Sequence, residues 1–193
     1  MVLSLLGLTL VLAHFLWKAL AYFRWSRVPT EEEAGAFAER VLMRHMTGFR
    51  VERGWRNGVR HAERKVFLTG PVLRGRSVYH LAVAAHEVGH ALQWRNAQEQ
   101  VRNAQGLLTA GLGVLVLGVL LSPSAFGAGL VLLGYALFAA TYPLERDANQ
   151  KALEVVGAAH RAGVRRVLGA LSSSYLLVPL GGALMVVGWL WGR

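Results

Sequence analysis

Residues 107–142 read LLTAGLGVLVLGVLLSPSAFGAGLVLLGYALFAATY, two uncharged apolar runs on either side of Ser122-Pro123-Ser124. A Ser-Pro-Ser interruption is a turn signal. The second run, Ala125–Tyr142, approaches the roughly 20 residues that a helix needs to cross a bilayer core. The first, Leu107–Leu121, has only 15 residues and spans only with help from flanking Gln105 and Thr109. Together they predict a tight helical hairpin that leaves one face of a membrane and returns to it. The segments before residue 107 and after residue 142 then lie on the same side.

Two further stretches fit a bilayer. Val2–Phe23 is apolar apart from His14 and Lys18, and Leu171–Trp191 is apolar with Pro179, Gly181 and Gly182 inside it. Proline and glycine are tolerated in membrane helices because neighbours satisfy the freed backbone groups. Trp189 and Trp191 suit the interface with water. With 54% of its 193 residues hydrophobic, the chain is too apolar for an ordinary soluble domain. Ala19-Leu20-Ala21 mimics an export cleavage site, yet no Lys or Arg precedes residue 18, so a retained anchor is expected.

Charge orients the spans. Of 21 Lys and Arg residues, 14 lie between Arg24 and Arg102 and five between Arg146 and Arg166, whereas the Ser-Pro-Ser turn carries none. By the positive-inside rule both basic regions face the cytoplasm, with the N-terminus, the turn and Arg193 outside. The net charge of +10 therefore needs no nucleic-acid partner. The lack of cysteine excludes disulfides and thiolate metal sites.

The expected organisation is a mainly α membrane protein. Residues 1–23 form an anchor, 24–106 a small α+β cytoplasmic catalytic module, 107–142 the hairpin, 143–170 a cytoplasmic helix and 171–193 a last transmembrane helix. Within the module, Thr30 and Glu33 after Pro29 read as a capping box. Ala34, Phe37, Ala38, Val41, Leu42 and His45 then share one helical face. Phe49–Glu52 and Lys65–Thr69, with Gly54 and Gly58 between them, read as a β-hairpin. Ser77–Trp94 is expected to be a helix.

That helix carries His86-Glu87-Val88-Gly89-His90. Residues four apart lie one turn plus about 40° apart, so both imidazoles reach one side and can share one ion. Glu87 lies about 100° away from His86, close enough to touch a metal's water but poorly placed to be a ligand. This division suits hydrolysis, in which two neutral imidazoles bind Zn²⁺ and a free carboxylate moves the proton. Gly89 weakens a helix by about 1 kcal/mol relative to Ala and is expected to admit a close neighbour. The bland reading is histidines that merely pack on an amphipathic helix.

A catalytic zinc needs a third protein ligand and one open position. The acids that come after the motif on the same side are Glu99, Glu145, Asp147 and Glu154. The hairpin returns the chain at Pro143, beside the metal helix, which makes Glu145 the leading candidate. Asn149, one turn further, could orient a ligand. Asp147 is expected on another face, and Glu154 lies further along.

The stretches GRSVYHLAVAAHEVGHALQ (75–93) and YPLERDANQKAL (142–153), separated by two apolar segments, resemble the YugP-like neutral zinc metallopeptidase family of bacterial membrane proteins. The likeness runs from about residue 20 to the final span. The wider pattern is similar to that of the CAAX prenyl protease and heat-shock membrane protease relatives. The resemblance implies a membrane-anchored zinc endopeptidase with a zincin-like module, one Zn²⁺ held by His86, His90 and Glu145, and Glu87 as catalytic acid and base. An aspartate of those relatives falls at Asn149, which accepts a hydrogen bond but carries no charge.

The expected reaction is peptide-bond hydrolysis in a protein or peptide substrate at the cytoplasmic face of the bacterial membrane. No residue stands out as the oxyanion donor: His160, Tyr142 and Arg146 could reach but read as structural or solvated. Lys65–Thr69 could act as an edge strand that pairs with an extended substrate. His80, six residues before His86, reads as packing. Two alternatives stay open: an intramembrane zinc protease, and a zinc-binding scaffold without turnover that contacts anionic lipid.

Overall fold

The hydrophobic periods of the chain fold as helices throughout, except in residues 50–69. The computed structural model describes residues 2–45, 47–96, 98–121 and 124–192, without the side chains of Arg95 and Asn96. In chain order these form α1 (Val2–Trp25), α2 (Ala34–Arg44), β1 (Arg50–Gly54), β2 (Gly58–Arg60) and β3 (Lys65–Thr69). Next come α3 (Gly70–Leu73), α4 (Val78–Asn96), α5 (Gln98–Leu120), α6 (Ala125–Ala139), α7 (Tyr142–Val155), α8 (Ala158–Ser172) and α9 (Ser174–Trp191). A mainly helical chain with one small sheet agrees with the expected class. Ser122, Pro123 and Arg193 lie outside the described residues.

Among the described residues four stretches are long and apolar enough to cross a membrane: Val2–Trp25, Gln98–Leu120, Ala125–Val155 and Ala158–Trp191. In the last two the charged residues fall in α7 and α8, so the uncharged spanning portions are α6 and α9. The apolar run at Leu107–Leu121 belongs to a helix longer than itself. Its helix starts nine residues earlier, at Gln98, because the polar turns ahead of the run are helical too.

The chain divides into two compact units. The first comprises residues 1–17, 102–144 and 172–193. Here small residues let helices approach closely, as expected where lipid removes the hydrophobic drive for association. Gly7 of α1 lies on the backbone of Gly181 in α9, and Gly188 lies against Ser4. On α5 and α6, Gly111 faces Gly134 and Gly118 faces Val131, so the two runs pack as a hairpin. Ser124 caps α6, its Oγ accepting from the Gly127 N–H at 3.0 Å. His14, the polar interruption of the first span, is buried and hydrogen-bonded through Nδ1 to Ser173 Oγ at 2.8 Å.

The second unit comprises residues 18–101 and 145–171. Its core gathers Phe37, Leu42, Val66, Leu68, Val78, Val88, Val164 and Leu168 around α4. The expected face of α2 is buried at Ala34, Phe37, Ala38, Val41 and Leu42, but His45 is exposed beyond the helix, at its C-cap. The capping box is not formed. Glu33 is the N-cap residue without a side-chain cap bond and pairs instead with Arg76 at 3.4 Å, while Thr30 Oγ1 donates to the Glu32 carbonyl. The helix starts three residues later than the box requires, because bonds from the Thr30 N–H to the Arg76 carbonyl and from the Ala34 N–H to the Gly75 carbonyl hold this segment along residues 75–76.

The sheet also differs from expectation. Its order is β1-β3-β2, with β1 parallel to β3 and β2 antiparallel to it. The hairpin is thus β2–β3, turning at His61–Arg64, where Arg64 has φ of +51° and donates its N–H to the His61 carbonyl. Residues 54–64 are long enough to hold a third strand, and that strand takes one edge of β3. Lys65–Thr69 is consequently central, with Val66 and Leu68 fully buried, so it offers no free edge to a substrate. Residues 143–170 form two helices, α7 and α8, broken at Gly157.

Candidate metal centre

Residues 28–34 run beside residues 75–78 and set the start of α4: Val78 N–H donates to the Val28 carbonyl and Ala34 N–H to the Gly75 carbonyl. Ser77 Oγ accepts from the His80 N–H and is hydrogen-bonded to His80 Nδ1 at 2.8 Å, which makes His80 part of the helix entry, as its spacing implied. The helix then runs through the core on small side chains, with Ala82, Ala84, Ala85, Val88 and Ala91 buried on several faces.

One neighbour comes against its motif: α7. Its buried face is Glu145, Ala148 and Ala152, at helical spacing. Gly89 lies directly against the Ala148 carbonyl, where a Cβ would collide with backbone. Gly89 therefore admits a neighbouring backbone, and that contact sets Glu145 opposite the two histidines.

His86 Nε2 lies 3.2 Å and His90 Nε2 3.4 Å from Glu145 Oε2. The three ligand atoms lie within 4.8 Å of one another, a group that could hold a metal ion. Each imidazole is fixed from behind. His86 Nδ1 lies 2.9 Å from Asn149 Oδ1, and His90 Nδ1 lies 2.8 Å from Gln93 Oε1. Both partners are carbonyl oxygens, so each Nδ1 carries a proton, and Nε2 turns a lone pair inward whenever the ring is neutral. With both imidazoles neutral, Glu145 Oε2 is buried with no hydrogen-bond donor. Two imidazole nitrogens converging on a buried carboxylate oxygen form a donor set of the kind that binds Zn²⁺, so the residues present fit the zinc that the sequence pattern implies.

Gln93 is fully buried and passes the support on, its Nε2 donating to Asp147 Oδ2 at 2.8 Å. A carboxylate thus polarises the His90 imidazole through an amide, whereas His86 is held by the uncharged Asn149. Sequence reasoning placed Asp147 on an unrelated face and passed over Gln93. The position of Gln93, three residues after His90, was an available signal. His61, in the β2–β3 turn, was also missed. It is buried, stacked on Trp94 with ring centroids 4.7 Å apart, and its Nε2 lies 3.2 Å from the His90 carbonyl. No spacing rule links it to the motif.

Glu87 is buried beside the group. Burial pushes its carboxyl up and the charge of Glu145 adds to this, against the pull of His86 and His90. For Glu145 burial alone would raise the carboxyl, but the two histidines outweigh it and hold it well below the usual range. For His86 burial lowers the imidazole, yet Glu145, Glu87 and Asn149 together raise it from 6.5 to about 9. Without metal, a proton on His86 Nε2 serves as the counter-charge for Glu145.

These shifts act on stability in opposite directions of pH. The pair's contribution from His86 is complete below pH 6.5 and is lost as pH rises through about 9. The contribution from Glu145 is present above 4.5 and is lost only as pH falls through its depressed value. A metal needs the neutral imidazole, so near pH 7 its binding should release one proton, and apparent affinity should climb about tenfold per pH unit until pH 9. Zinc titrations by calorimetry in buffers of different ionisation enthalpy count that proton directly. A proton count of zero at pH 7 would contradict the assignment.

Of the other acids, Glu99 and Glu154 are exposed and outside the group. Among the described residues no hydrogen bond or ion pair joins Tyr142, Arg146 or His160 to it.

The family model described as "Putative neutral zinc metallopeptidase" matches residues 1–191. The chain is 30% identical over 133 aligned residues to "Putative membrane protease YugP" of Bacillus subtilis (strain 168), a match covering 61% of this chain and 59% of that relative. It thus spans less than two thirds of that protein's length. No solved structure matches significantly. By the match along nearly its whole length, the chain belongs to the neutral zinc metallopeptidase family.

Proposed function

We propose that the protein is a membrane-anchored, zinc-dependent endopeptidase that hydrolyses peptide bonds of protein substrates at the cytoplasmic face. The observation that carries this reading is the convergence of His86 Nε2, His90 Nε2 and the donorless Glu145 Oε2. In this reading those three residues are the metal ligands. A bound Zn²⁺ supplies Lewis acidity, lowering the pKa of a water and polarising the scissile carbonyl.

The chain's own residues do the rest. Asn149 and Gln93 hold both imidazoles in the tautomer that presents Nε2. Glu87 takes a proton from the attacking water as its oxygen adds to the carbonyl carbon, then delivers that proton to the leaving amine as the C–N bond breaks. Its raised pKa suits both halves, because a carboxyl poised nearer neutrality returns a proton more readily than an ordinary one. The basic segments that flank the site support the cytoplasmic orientation. Among the described residues α4 is outside the four apolar stretches, which favours a site beside the bilayer over one inside it.

Metal content and casein-type cleavage, measured on detergent-purified protein, test the reading. Wild type is expected to hold about one zinc and to cleave. Glu145→Ala removes a ligand and is expected to lose both metal and cleavage. A metal-loaded wild type without turnover would favour the scaffold, and a metal-free one would end both readings.

A further inference from the structure

The β1–β2 loop and its flanking arginines form a surface that the proposed chemistry does not use. Trp55 at its tip is 83% exposed. The segment RGWRNGVR (53–60) contains three arginines and no acid. The Arg56 guanidinium lies 5.0 Å from the Trp55 ring centroid, and that of Arg60 lies 5.0 Å from Phe67. Trp55, Phe67 and the three arginines line a cavity of about 270 Å³. Arg60 is paired with Glu63 at 3.0 Å, whereas among the described ion pairs Arg53 and Arg56 have no acidic partner.

The loop is held in place. Thr69 N–H donates to Asn57 Oδ1 at 2.8 Å, tying the tip to the end of β3, and Gly54 lies against Phe67. The exposed indole and the guanidinium groups beside it present apolar area and positive charge side by side. Its chemistry matches a bilayer interface: indole rings settle at headgroup level, and arginine forks bind phosphate bidentately. On the membrane-anchored reading, the four helices long and apolar enough to cross a membrane bring a bilayer within reach of the chain.

We propose that this Trp55 loop is a second membrane contact, docking on the anionic headgroups of the bilayer that holds the helices. It deepens the membrane-anchored reading above and is independent of turnover. Each arginine near an anionic surface contributes about a fivefold gain in association.

The chain has no cysteine, so one can be introduced alone. A Cβ at Gly58 meets open space, so Gly58→Cys accepts a nitroxide while leaving Trp55 intact. The full chain is placed in nanodiscs of phosphatidylcholine with or without phosphatidylglycerol, and accessibility to oxygen and to an aqueous nickel chelate is read. In the anionic discs the label should become several-fold less accessible to nickel and more accessible to oxygen. A label at exposed Glu39→Cys should stay aqueous in both. Trp55→Ala should abolish the shift, and Arg53→Gln or Arg56→Gln should each weaken it about fivefold. A label at 58 that stays equally wet in both discs overturns the proposal. So does shielding that appears only when an acidic peptide is added, which would make the loop a peptide site. Loss of peptidase activity elsewhere leaves the measurement unaffected.

Discussion

Glu87→Gln is expected to keep its full zinc content while losing cleavage by about 10²–10⁴-fold, the usual worth of a positioned acid–base group. The two properties separate because Glu87 contributes no atom to the converging group of His86, His90 and Glu145. An amide of the same shape fills the buried position but cannot carry a proton from water to amine. The loss should fall on kcat, since the residue acts on the reacting atoms and not on the remote part of the substrate. A bell-shaped pH profile whose acidic limb disappears in the variant would tie that limb to Glu87. Cleavage equal to wild type would transfer the proton to another group and remove the central step of the mechanism.

Gly89→Ala is expected to damage the site although it touches no ligand. In isolation the change favours a helix by about 1 kcal/mol. Here the new methyl meets the carbonyl of Ala148, a backbone atom that cannot rotate away. The two helices must separate, and overpacking of this kind costs about 1–3 kcal/mol, at least offsetting the helical gain. The larger effect is geometric. Glu145 lies three residues before Ala148 and Asn149 one after, so a displaced α7 carries a ligand and a ligand-orienting partner away from α4 together. Zinc affinity should fall about 10–100-fold, the range for loss of an orienting partner. Gly157→Ala, whose Cβ meets open space, should bind zinc like wild type. Competition against a chromophoric chelator measures both. Undiminished zinc affinity in Gly89→Ala would mean that the contact does not position the site.

Much of the protein is readable from local pattern. The apolar stretches, the metal helix and the spacing of His86 and His90 all depend on residues within a few turns of one another, where period and length decide. Glu145 was reachable by a topological step, because a hairpin that returns to its own side brings few carboxylates back. Three features were out of reach. The capping box failed because backbone bonds to the carbonyls of Gly75 and Arg76, more than forty residues away, hold residues 30–34 and delay the helix to Ala34. The strand order placed β2 beside β3, and pairing between strands is settled by burial of Val66 and Leu68. The amide that links His90 to Asp147 exists only because α7 crosses α4 at Gly89. The sequence by itself determined the membrane character, the helix that bears the motif and the chemistry of its side chains, since hydrophobic period and residue type are local properties. Only the tertiary structure decided how closely Glu145 meets the histidines, what holds His90 and which strand lies in the middle, because these depend on contacts between segments far apart in the chain.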